Sequence, residues 1–161
     1  MLTWTERVML HNQFRILEIL DPANATDYKQ KQDIVGKGYE GLYATINENV
    51  SGEPTPPAVS DEVHGIFDMF RALGDSKKAA GYLPSSHHTE FAGFDGNNEP
   101  KHYAYAVFVL ETLGHWPESK SMPRNSSMPM LPKYGRMVET WERHGRVFQL
   151  TSMQIEEIGE A

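Results

Sequence analysis

Cysteine is absent from this 161-residue chain. Disulfides, thiolate metal sites and a cysteine nucleophile are excluded with it. Long apolar runs are absent too, and the longest, Tyr103 to Leu110, is far too short to span a bilayer. No membrane association is expected. The opening Met1-Leu2-Thr3-Trp4-Thr5-Glu6-Arg7 lacks the basic segment and apolar stretch of a signal peptide. A cytoplasmic location is the resulting expectation. Positive charge is in deficit, with 15 basic against 22 acidic residues and a net charge of −7. No global basic field for nucleic acid exists, and nucleic acid is not an expected partner. Arg15, Lys29, Lys31 and Lys37 would have to supply any phosphate contacts. Metal-ligand spacing is missing as well. The seven histidines include the adjacent pair His87-His88 and the scattered His64, His102, His115 and His144, with no HExxH pattern. Neither a metal nor a cofactor is expected. Gly36-x-Gly38-x-x-Gly41 matches a dinucleotide fingerprint as a string, but it follows a helix rather than a strand. Ser85-Ser86-His87-His88 and Ser51-Gly52 form no nucleophile elbow.

What is present is helical periodicity and its punctuation. A chain of this size buries roughly 68–70% of its unfolded surface, enough for a core without staples. Thr3-x-x-Glu6 reads as a capping box, opening a helix that runs to about Leu20. Asp21-Pro22 stops it, because a residue before proline is pushed out of the α region. Asn24 is placed to cap a second helix, Ala25 to Lys37, with Asp27 favoured by the helix dipole and Gly38 as its terminator. The pattern predicts a helical hairpin. Tyr39 to Val50 fits either strand alternation or helical spacing. Residues 51–60, 75–90 and 115–128 read as loops. Ser60 is placed to cap a short helix carrying Val63, Ile66, Phe67, Phe70 and Leu73, with Gly74 ending it. A further helix opens near Asn97 or Asn98 and continues to Leu113. Another runs from about Pro129 to His144. Leu150-Thr151-x-x-Gln154 is a second capping box before a short terminal helix. The expectation is an all-α, single multihelical domain of five or six helices starting with a helical hairpin.

The first helix is unusually apolar. Val8, Met9, Leu10, Phe14, Ile16, Leu17, Ile19 and Leu20 cover well over half its circumference at about 100° per residue. Such a helix is covered on more than one side, by its own domain or by a partner. A homo-oligomer follows as an expectation, most simply a two-fold dimer, with a further protein partner also allowed. Asn12 and Gln13 fall inside this apolar arc, between Val8, Ile16 and Leu20, while Arg15 shares the remaining strip with Arg7, His11 and Glu18. If buried, each amide needs a partner, either a neighbouring helix end or water, or a contact in an interface or ligand pocket. Phe94-Asp95-Gly96-Asn97-Asn98 precedes a helix start and reads as a capping turn. A calcium loop is disfavoured by Pro100 and the missing bidentate glutamate. Trp4, Trp116 and Trp141 read as core or interface anchors.

Three blocks occur in an order found in a known family. They are Arg7-Val8-Met9-Leu10-His11-Asn12-Gln13-Phe14 with Leu20-Asp21-Pro22-Ala23-Asn24-Ala25 and Gly38-Tyr39, then Phe91-Ala92-Gly93-Phe94-Asp95 with Tyr103 and Tyr105, then Tyr134-x-x-Met137-x-x-x-Trp141 with Leu150-Thr151. The chain resembles the YfbU family over most of its length, less so between Gly41 and Ser60 and between Gly114 and Met128. The resemblance implies a mostly helical bacterial or phage-associated protein, and it supplies no catalytic residues. Some members carry an additional N-terminal DNA-binding segment, which this chain is expected to lack. Two functional expectations stand side by side. One is a non-catalytic, self-associating interaction or regulatory protein. The other is a small hydrolase with a site assembled around Asp95 and nearby histidines. Candidate binding residues are Asn12, Gln13, Arg15, Asp95, Tyr105 and Trp141.

Overall fold

Thr3 opens the first helix as its sequence requires. In the computed structural model, which describes residues 1–47, 50–81 and 88–161, α1 spans Trp4–Leu20. The Thr3 hydroxyl accepts the Glu6 N–H at 3.3 Å, and the Glu6 carboxylate accepts the Thr3 N–H at 2.7 Å. After Asp21 a single 3-10 turn, Pro22–Asn24, leads into α2, Ala25–Lys37. Asn24 does not cap α2 with its side chain, contrary to the sequence reading. Its backbone, at φ −109° and ψ 14°, lacks the extended geometry that aims a cap oxygen at the next N–H groups. Its amide instead donates to Asp21 Oδ2 at 2.9 Å, and the Tyr28 hydroxyl donates to the same oxygen at 3.1 Å. The Asn24 amide first and the Tyr28 hydroxyl second hold the Asp21 carboxyl below its ordinary pKa. Gly38 closes α2 in the left-handed region, at φ 73°, as expected. Within the ambiguous segment Glu40–Asn47 winds as 3-10 helix rather than strand or α-helix, and residues 48 and 49 lie outside the described residues. That tighter coil sets Ile46 against Phe14 and Val35.

Helix α3, Pro57–Ala80, departs from the sequence reading at both ends. It begins at Pro57 rather than after Ser60, since the missing proline N–H costs nothing in a first turn. It passes through Gly74 and ends at Gly81, which is left-handed at φ 59°. An interior glycine costs only about 1 kcal/mol relative to alanine. Tertiary contacts beyond it outweigh that cost. Ser76 is buried, accepting the Leu150 N–H at 2.9 Å and donating to the Phe148 carbonyl at 3.2 Å. The stretch read as a loop from residue 75 is therefore helical through Ala80. His87 and its neighbours 82–86 lie outside the described residues.

Helix α4, Pro100–Val107, continues into a wider π-helical turn, Phe108–Thr112. Helix α5 is Leu131–Arg143, and α6 is Ser152–Glu160. The second capping box is present, with Thr151 and Gln154 exchanging hydrogen bonds. The fold is all-α, with six α-helices and no strand among the described residues. Strand-like pairing is limited there to one isolated bridge, Phe94 with Asn125.

The chain divides into two compact units, Met1–Pro54 and Thr55–Ala161. The first packs α1 on α2 around Phe14, Val35 and Ile46. The second is built on an aromatic centre. Phe67, Phe70, Phe91, Phe94 and Tyr134 touch ring to ring at centroid separations from 4.9 to 5.7 Å, mostly tilted or edge-on. Such pairs contribute about 0.5–1.5 kcal/mol each beyond area burial.

Candidate functional site

The hairpin unit presents its most conspicuous surface on α1. Of its apolar side chains only Phe14 is buried. Trp4 is 75% exposed, Ile19 77% and Leu20 73%, and Val8, Met9, Ile16 and Leu17 are exposed with them. Asn12 and Gln13 are exposed rather than buried, so their amides face no desolvation cost in the single chain. Their position on the helix is informative. Asn12 lies one turn from both Val8 and Ile16, and Gln13 one turn from both Met9 and Leu17. They sit within an uncovered apolar stripe, and exposed Arg15 lies one turn from Asn12. A small pocket of about 130 Å³ opens at its N-terminal end, lined by Trp4, Arg7, Val8, His11, Asn12 and Gly36 among others.

Arg7, which no candidate site included, locks the hairpin. Its Nε donates to the Val35 carbonyl at 2.7 Å and its Nη2 to the Gly36 carbonyl at 2.9 Å. A cation thus satisfies the orphan carbonyls at the negative end of α2. Gly38 is needed twice over. Its φ is positive, and a Cβ there would lie 3.0 Å from the Arg7 guanidinium carbon. No sequence signal separates Arg7 from any other exposed helix arginine.

In the second unit Asp95 forms the expected turn but does not cap the helix, because α4 begins at Pro100 with Glu99 as its N-cap and, among the described residues, no side-chain cap bond. The Asp95 Oδ1 accepts the Asn97 and Asn98 N–H groups at 2.9 and 3.3 Å, and its Oδ2 accepts the Asn98 amide at 2.6 Å. The Asn98 amide first, then the Asn97 N–H, hold its carboxyl below the ordinary aspartate range. Among the described residues, all of its side-chain hydrogen bonds go to this turn. Glu99 is 6% exposed and joins three backbone positions. Its Oε1 accepts the Met130 and Leu131 N–H groups at 2.7 and 2.6 Å, capping α5, and its Oε2 accepts the Asp95 N–H at 2.9 Å. The Tyr134 hydroxyl takes the Ala92 N–H at 2.9 Å and donates to the Gly93 carbonyl at 3.1 Å. Burial pushes its pKa up.

Tyr105 and Trp141 lie in other surroundings. The Tyr105 hydroxyl is 3.0 Å from His64 Nε2, and the His64 ring lies 5.1 Å from the Trp116 indole. Trp116 donates to Asp68 at 2.9 Å, and Arg71 stacks over its ring at 5.7 Å while pairing with Glu118 at 2.5 Å. Trp116 holds a left-handed backbone, at φ 47°, which costs a non-glycine residue about 1–2 kcal/mol. His102 pairs instead with Glu62 at 2.6 Å. Trp141 is buried, donates to the Val147 carbonyl at 2.8 Å and meets Phe148 edge-on. Asp95, Tyr105 and Trp141 therefore have three separate sets of hydrogen-bond partners. Trp116 and Trp141 are core anchors, and Trp4 stands exposed on α1. Among the described residues no three His, Asp or Glu side chains converge as metal ligands.

These arrangements define an all-helical protein whose buried polar groups cap helices and tie loops. The YfbU domain model matches residues 1–161, and the chain belongs to the YfbU family. Among the described residues no helix is long and apolar enough to cross a membrane.

Proposed function

We propose that this chain is a non-catalytic, cytoplasmic helical interaction protein that self-associates through the outward face of α1, its two units acting as parts of one YfbU domain. The observation that carries this is the uncovered stripe from Trp4 through Val8, Ile16 and Ile19 to Leu20. Contiguous exposed apolar surface on a soluble protein marks an interaction site. A two-fold pairing of α1 with α1 covers the stripe on both copies at once, and it is the commonest closed solution. Asn12 and Gln13 then acquire a role, as polar groups within an apolar seam that fix its register. The hydrolase alternative has less support, because the Asp95 carboxylate bonds to Asn97 and Asn98 while His102 pairs with Glu62 and His64 with Tyr105.

The test is light scattering at micromolar concentration. The expected mass is twice the 18.3 kDa of the chain. Ile16→Asp should give the monomer with helicity unchanged, since Ile16 is exposed in the single chain. A monomeric wild type would overturn this reading.

A further inference from the structure

A groove of about 550 Å³ lies between α3 and α5, wholly within the second unit. Its apolar lining is Ile66 from α3 with Leu131, Pro132 and Val138 from α5. Asp61 and Glu62 border it on the α3 side, and Glu139 and Glu142 on the α5 side. Arg146, the one cation lining it among the described residues, is bonded to Glu142. Glu62 pairs with His102, while Asp61 and Glu139 are exposed and without an ion pair among the described residues. The groove is thus an apolar trough between carboxylate edges, with negative charge in surplus.

Two glycines, Gly65 in α3 and Gly135 in α5, also line it. Neither has a positive φ, and a Cβ at either position would meet nothing within 4 Å. The backbone and the chain's own packing therefore accept a side chain at both places. Each interior glycine costs its helix about 1 kcal/mol relative to alanine. What the absent side chains provide is depth. From Leu131 to Glu142 the α5 wall runs about three helical turns, which suits the anchors of an amphipathic helix at one-turn spacing.

We propose that this groove is a docking site for a basic amphipathic helix of a partner protein, its apolar stripe on Ile66, Leu131 and Val138 and its lysines or arginines facing Asp61, Glu62 and Glu139. Charge selects this occupant over a second copy. The first unit carries 8 acidic against 5 basic residues, and the second 14 against 10. Two arginines of the second unit are engaged internally. Arg124 donates to the Ser119, Lys120 and Met122 carbonyls, and Arg136 to the Ala161 and Pro132 carbonyls. The proposal is independent of the α1 face.

The probe is a fluorescein-labelled leucine–lysine peptide of about 18 residues, five helical turns. One control replaces lysine by glutamate, and another replaces leucine by serine. Anisotropy is read with the full chain at about 150 mM salt, where long-range charge effects are screened. The leucine–lysine peptide should bind at least about tenfold tighter than either control. Gly135→Leu and Gly65→Leu, which fill the trough, should each weaken it about tenfold with circular dichroism unchanged. Glu139→Lys should weaken it and flatten its salt dependence. Equal binding of the serine control, or undiminished binding to both leucine variants, overturns the proposal. So does a change in the free protein's mass on introducing Gly135→Leu, which would mean a second copy fills the groove.

Discussion

Removing the Glu99 carboxylate tests how the second unit is held together. Three backbone N–H groups, from Asp95, Met130 and Leu131, converge on it at 2.6 to 2.9 Å. Two of them are orphan donors at the start of α5, where the helix dipole adds to the attraction. Hydrogen bonds to charged groups contribute about 1.5–3 kcal/mol each, and a buried donor left without a partner costs about 1–3 kcal/mol. Water reaching the partly open α5 terminus reduces the total below the sum. Glu99→Ala should therefore destabilise the fold by about 3–5 kcal/mol, a large share of a typical total of about 5–15 kcal/mol. Glu99→Gln retains one acceptor oxygen and should lose only about 1–2 kcal/mol. Urea melts followed by tryptophan fluorescence suit the measurement, because Trp116 and Trp141 are buried in this unit. At about 2–4 °C per kcal/mol, the alanine variant should melt roughly 6–20 °C lower. Melts of Glu99→Ala superimposing on wild type would refute the reasoning, as would a glutamine variant weaker than the alanine one.

Two further outcomes follow from the same region. Gly93 has φ 96°, and a Cβ there would lie 2.5 Å from the Arg124 carbonyl oxygen, so Gly93→Ala should cost about 3 kcal/mol or more in a denaturant melt. The Asp95 carboxyl is held below its ordinary 3.8 in the fold, so its contribution is complete above that pH and drains away as pH falls toward the lower folded value. The stability gap between wild type and Asp95→Asn should be level from neutral pH down to about pH 5 and close below pH 3.8, and a gap that widens on acidification would contradict the assignment.

The sequence by itself determined the local elements whose stabilising groups are neighbours in the chain. Thr3 with Glu6, Thr151 with Gln154, the Asp95 turn and the Gly38 terminator each act within a few residues, and each stands where its spacing puts it. The YfbU-like runs Arg7 to Phe14 in α1 and Tyr134 to Trp141 in α5 were legible for the same reason, since each lies along one helix. What only the tertiary structure decided rests on partners far apart in sequence. Helix α3 passes Gly74 because Ser76 meets Phe148 and Leu150, more than seventy residues on, and periodicity holds no trace of that bond. One local reading also failed: Asn24 turns its amide to Asp21 Oδ2, three residues back, an oxygen that accepts the Tyr28 hydroxyl as well. The Arg7 bonds to α2 and the Glu99 Oε1 bonds to α5 could not be read locally, because those acceptors and donors are helix ends about thirty residues distant. Periodicity counted the apolar residues of α1 but could not say which would be covered. The packing of α2 buries Phe14 and leaves Val8, Ile16 and Ile19 in water. Hydrophobic pattern fixes which residues favour burial, and only the arrangement of neighbouring elements fixes which of them achieve it.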